Sequence, residues 1–196
     1  MRIDLLVEGY VDATVASRLL AHCDHETGTT YGKQGWNYIA QKINAFDKSL
    51  GASGLLTLVD FMDTGAACPG ALVQEWLPRP AAAHIFRLVV REIESWILAD
   101  RRGVADFLGI SIVKIPSNPE MIADPKQAMI NLARGARSKA LREAMVPRSG
   151  QAASEGPLYS TELARFIIDH WDPEVAQENS PSLARCIVRL NQLHNV

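Results

Sequence analysis

The feature that most limits the fold is an alternation of two periodicities. Four short strand-like runs, "RIDLLV" (2–7), "ETGTTY" (26–31), "LLTLVD" (55–60) and "HIFRLVV" (84–90), are each followed by a stretch with helical spacing. After the first, Val11, Val15 and Leu19, with Ala16 and Leu20, recur at helical intervals up to about His22. After the loop "GKQG", Ile39, Ile43, Phe46 and Leu50 line one helix face. Pro69 suits the first turn of a short helix "PGALVQEWL", and the fourth run leads into "REIESWILAD". An order β-α-β-α-β-α-β predicts a three-layer, Rossmann-like α/β domain with a mainly parallel sheet over residues 1–100.

The rest, 101–196, reads as a helical subdomain packed on that domain. Gly109 is placed as a C-cap, Asp124-Pro125 opens a helix, and Ser160, Asp172-Pro173 and Ser180-Pro181 read as caps with first turns. Between Pro147 and Pro157 the Gly, Ser, Ala and Pro content predicts an exposed loop. A chain of 196 residues with 47% hydrophobic content can bury one good-sized core, and a net charge of −2 gives no global pull toward nucleic acid or membrane. Cys23, Cys68 and Cys186 are widely spaced and odd in number, which argues against a disulfide framework or a zinc knuckle and fits a reducing cytoplasm. The sequence holds no bilayer-spanning apolar run and no signal-like N-terminus, so no membrane association is expected.

The stretch "LLTLVDFMDTG" raises the functional question, because a buried apolar strand ends in two carboxylates, Asp60 and Asp63. In an open parallel sheet, ligands bind at the C-terminal strand ends, where Glu8, Asp60 and one of Glu92 and Glu94 fall. Carboxylates gathered there repel unless a cation sits among them, and hard oxygen donors favour Mg²⁺ or Mn²⁺ over zinc. A metal site built on these acids is the expectation.

The motifs "LLVEGYVDA", followed by a helix, and "LLTLVDFMD" resemble the TOPRIM domain of bacterial primases, topoisomerases and overcoming-lysogenization-defect nucleases. The later "REIESWILAD", "CPG", "GPLY" and "SPSLARC" are similar to a bacterial TOPRIM-like group known only as a domain of unknown function. The resemblance implies that Glu8 is the acid/base glutamate, Asp60 the first metal aspartate and Glu94 a further acid of the site, with Asp63 as the remaining metal ligand. One feature departs from the family: two residues separate Asp60 from Asp63 where the usual motif has one.

Each of these residues also has a plainer reading. Glu8 and Asp12 would suit a helix N-terminus, Asp63 a turn before Gly65, and only one of Glu92 and Glu94 is expected to reach the metal, with Glu94 the choice. Asp12 and Glu92 are then supporting acids. Asp60 is hardest to explain structurally, because a buried acid needs a partner. The "HCDH" at His22–His25 reads as the end of the first helix, His84 as a core histidine, and "DTGAA" as a lone turn lacking the second one an aspartic protease requires. Lys33, Arg134, Arg137 and Arg142 are candidates for phosphate binding, although "ARGARSKALR" also fits a solvated helix face.

No serine-hydrolase, Walker or dinucleotide signature is present, so any ATPase is expected from a partner protein. Two metals about 4 Å apart can drive in-line displacement at phosphorus, and the chain is too short for topoisomerase or primase chemistry. A metal-dependent nuclease acting on nucleic acid, in bacterial defence or DNA repair by analogy, is the expectation. The alternative is a non-catalytic module that binds nucleotide or metal within a larger complex, and the altered aspartate spacing favours it.

Overall fold

A computed structural model describes residues 1–193 except 149 and 151. The strands β1 (Arg2–Val7), β2 (Glu26–Gly32), β3 (Gly54–Asp60) and β4 (His84–Val89) form one sheet in the order β2-β1-β3-β4, and every pairing is parallel. Helix α1 (Tyr10–His22) joins β1 to β2, α2 (Trp36–Lys48) carries the chain back past β1 to β3, and α3 (Pro69–Trp76) leads to β4. Then follow α4 (Ile93–Ala99), α5 (Arg101–Leu108), α6 (Pro125–Arg134), α7 (Lys139–Met145), α8 (Tyr159–Asp169), α9 (Pro173–Gln177) and α10 (Pro181–Gln192).

Alternate strand residues feed two cores, as the period of two in a strand requires. Leu6, Leu55, Val59, Phe86 and Leu88 face α2 and α3, while Ile3, Leu5, Val7, Leu56, Leu58, Ile85 and Val89 face α1 and the later helices. The strands therefore read as near-continuous apolar runs because both sheet faces are covered. This is a three-layer parallel α/β architecture. The second core continues without a break past residue 100, with Trp96, Phe166, Trp171 and Leu190 packed together with the sheet face.

The helix boundaries follow local chemistry. Asp100, Asp124, Ser138, Asp172 and Ser180 each accept a backbone N–H of the turn they open, and Gly109 closes α5 in the left-handed region at φ 64°. The expected cap at Ser160 is not found: α8 begins one residue earlier, after Leu158, with no side-chain cap. The segment 147–157 has no helix or strand among its described residues, but it is not uniformly exposed; Gly156 is buried and its N–H donates to the Met145 carbonyl at 3.1 Å. His84 is a satisfied core histidine between Thr57 Oγ1 (2.9 Å) and Asp47 Oδ1 (2.8 Å). Among the described residues, no helix is long and apolar enough to cross a membrane.

In the order 2-1-3-4 the chain reverses its direction of travel between β1 and β3. That switch point is where open α/β sheets leave a crevice for a ligand. Glu8 follows β1 and Asp60 ends β3, so both carboxylates are delivered to it.

Candidate functional site

A cavity of about 200 Å³ opens beyond the strand ends, lined by Asp12, Asp60, Asp63, Glu92 and Glu94 together with Lys126 and Tyr159. Five acids thus face one small space that a single lysine shares. Asp60 is carried by β3, and its Oδ1 is buried with no hydrogen-bond partner. Burial, then the charges of Asp12, Glu94, Glu8 and Glu92, hold its carboxyl well above the usual carboxylate range. Asp12, in the first turn of α1, is also buried, and its Oδ1 likewise has no partner. Burial raises it to about 6, against hydrogen bonds from local backbone and the charge of Lys126. Gly9 leaves little room beside it: a Cβ there would stand 3.1 Å from Asp12 Oδ2, and the carboxylate would have to give by a few tenths of an ångström.

Glu8 does not itself line the cavity. Its Oε1 accepts the backbone N–H of Asp60 at 2.7 Å, which bridges the two strand ends across the switch point. Burial raises its carboxyl to about 7; the bond from Asp60 opposes the rise and the charges of Asp12 and Asp63 add to it.

Asp63 lies in a 3-10 turn, Met62–Thr64, exposed at the cavity wall. The local bonds of that turn are made by Thr64, whose Oγ1 donates to the Phe61 carbonyl at 2.8 Å and accepts from Ala66 N–H. The charge of Asp63 reaches Glu8, Asp12 and Glu92.

Of Glu92 and Glu94 only one, Glu94, was expected to reach the metal; both line the cavity. Glu92 is the extended residue before α4 while Glu94 is in its first turn, and the change of backbone direction between them turns both side chains the same way. Glu92 Oε2 accepts the backbone N–H of Lys126 at 3.1 Å, and its carboxyl is raised by burial against that bond. Glu94 is buried, accepts the Tyr159 hydroxyl at 3.0 Å and is raised to about 7, chiefly by burial, with Lys126 opposing. The Tyr159 hydroxyl is itself pushed far up by burial and by Glu94, so it remains a donor.

Lys126, Tyr159 and Glu155 were not singled out from the sequence. Lys126 Nζ lies 2.6 Å from Glu155 Oε2 and 5.4 Å from the centre of the Tyr159 ring. Burial lowers its ammonium, but Glu155, Glu94 and Glu92 together outweigh burial and leave it raised. A signal was present: a lysine in the first turn of α6 opposes the helix dipole and calls for nearby acids.

None of the four proposed phosphate-binding residues lines the acidic cavity itself. Arg134 and Arg142 line a separate concavity of about 510 Å³ with Arg148, and Arg142 also donates to the Arg137 carbonyl at 3.1 Å. The Arg137 side chain packs over Gly109, and Lys33 lines a groove that meets the acidic cavity at Tyr10.

Comparison with family models, curated proteins and solved structures returns no match.

Whether these residues suit a divalent cation is decided by donor chemistry and convergence. Among the described residues, no three His, Cys, Asp or Glu side chains converge as a ready-made cage. The donors themselves are hard, anionic, and include two buried oxygens without partners. Mg²⁺ commonly takes only one or two carboxylates and completes its shell with water and substrate phosphate, so the donor set fits such an ion. Asp60 and Asp12 would hold it, with Glu94, Glu92 and Asp63 around them.

Proposed function

We propose that the chain is a TOPRIM-like, Mg²⁺- or Mn²⁺-dependent phosphodiesterase acting on nucleic acid. The observation that carries this reading is that five acids line one cavity at the sheet's switch point, two of them with buried oxygens lacking any partner. Such an assembly is costly for the folded chain unless a cation joins it. A divalent ion bound there would stabilise charge on a phosphoryl oxygen and lower the pKa of a bound water.

The chain's own residues supply the remainder. Glu8, at about 7 and just behind the cavity wall, can exchange a proton near neutral pH and is suited to take up the proton of the attacking water through one relaying water as a phosphorus–oxygen bond forms and the leaving oxygen departs. Its bond from the Asp60 N–H fixes the carboxyl in place. Lys126 contributes the cation facing a phosphate oxygen, and Tyr159 holds Glu94 in a single orientation. The test is cleavage of labelled single- and double-stranded DNA and RNA with Mn²⁺. Asp60→Asn should reduce the rate about a hundredfold or more with the fold intact.

A second reading, a module that binds metal or nucleotide without cleaving, is favoured by the lengthened Asp60–Asp63 spacing. Binding of Mn²⁺ or nucleotide in calorimetry with no cleavage of any substrate would select it.

A further inference from the structure

Along α1 runs an open groove of about 380 Å³, extending from Tyr10 to Ala21 and lined also by Lys33 and Ile168. Its floor is made of small side chains of α1, and Tyr10 and Ile168 are 55% and 62% exposed. The stripe covers eleven residue steps, roughly 16 Å of helix. At about 3.4 Å per nucleotide of a stacked strand, that is room for roughly four nucleotides. Tyr10 lines both the groove and the acidic cavity, so the two adjoin at that residue.

We infer that this groove is the strand-binding subsite of the enzyme and that its occupant is single-stranded nucleic acid, an inference resting on the phosphodiesterase reading for the scissile bond. Three observations carry it. The groove brings two cations, Lys33 and Arg18, alongside a cavity of five acids, and the Arg18 Nε is buried without a hydrogen-bond partner. A phosphate backbone is attracted to the groove and repelled by the cavity, so the strand is held beside the acids and presents one phosphate to them.

The second observation is Tyr10, an exposed ring at the junction. A base reaches the face of an aromatic side chain when it is free of a duplex stack, and such stacking is tolerant of sequence. The third is the loop that carries Lys33. Its backbone is left-handed at φ 60°, a conformation uncommon outside glycine, and its N–H donates to the Val7 carbonyl at 2.8 Å. The preceding Gly32, at φ 88°, lies so close to the same carbonyl that a Cβ would collide with it at 2.3 Å. The loop backbone is thereby anchored against β1, and the exposed Lys33 side chain springs from that anchor at the groove's edge.

The experiment is fluorescence polarisation of a short labelled oligodeoxythymidylate in EDTA, where binding is read without cleavage. Wild type should bind this probe more tightly than a duplex of equal length. Tyr10→Ala should weaken it about tenfold, Tyr10→Phe should bind like wild type, and Lys33→Ala should flatten the salt dependence of log Kobs by about 0.7. Tyr10 is exposed, so circular dichroism of Tyr10→Ala should match wild type. Absence of binding, preference for the duplex, or wild-type affinity in Tyr10→Ala each overturns the inference. If binding depends on Tyr10 but Mn²⁺ produces no cleavage, the subsite stands and the hydrolase reading falls. If Mn²⁺ drives cleavage that Tyr10→Ala leaves unchanged, the hydrolase stands and the subsite falls.

Discussion

Glu94→Gln in metal-free protein is predicted to stabilise the fold at alkaline pH and hardly at all in acid. The carboxyl lies in the cavity with its pKa raised from 4.5 to about 7. A raised acid favours the folded state while it is protonated and loses that advantage as pH climbs through the folded value. At about 1.4 kcal/mol per tenfold change in proton affinity, the ionised carboxylate costs the folded state about 3 kcal/mol above pH 7 and almost nothing below pH 4.5. Glutamine keeps an oxygen to accept from Tyr159 and removes the charge, and burying its amide takes back about 1 kcal/mol. The net gain of about 2 kcal/mol corresponds to a rise in Tm of about 4–8 °C at pH 8 for a chain of this size, falling close to zero at pH 5. Thermal unfolding followed by circular dichroism in EDTA at both pH values measures it. An equal shift at the two pH values, or a lower Tm at pH 8, would refute the reasoning, because the Glu94 charge would then be compensated by Lys126 and Tyr159 without any metal.

Further outcomes follow from the same geometry. Asp63→Asn should lower Mn²⁺-dependent cleavage strongly if the turn at Met62–Thr64 brings its carboxylate to the ion and only slightly if it does not, and single-turnover rates separate the two cases. Lys126→Met removes the cavity's cation and leaves its acids less compensated, so Mn²⁺ affinity in calorimetry should rise while the cleavage rate per bound ion falls about tenfold or more. Gly32→Ala should destabilise by about 1–3 kcal/mol in urea titration, since its positive φ and the nearby Val7 carbonyl both exclude a Cβ.

The layered α/β class could be read from the sequence because strand and helix periodicities are local properties of the chain. The strand-end positions of Glu8 and Asp60 followed from the same pattern, since an apolar run that stops at an acid marks both the end of a strand and the edge of a sheet. The capping aspartates Asp124 and Asp172 and the glycine at 109 were likewise visible, each acting within a few residues of itself. Ser160 failed as a cap because α8 starts at Tyr159, where the ring's burial and its bond to Glu94 outweigh the capping preference of a serine.

Only the tertiary structure decided which acids meet. The strand order set β1 beside β3, which let the Asp60 N–H reach a carboxylate 52 residues away and made a crevice between them. The turn into α4 brought Glu92 in beside Glu94, and the docking of α6 and α8 supplied Lys126 and Tyr159. The unfavourable place of Lys126 in the first turn of α6 signals that acids lie near it but not which ones, because side-chain pattern specifies which face of an element is buried and not which distant element covers it. The sequence therefore determined the kind of sheet and the residues at its edge, while long-range packing determined the charge balance of the cavity they form.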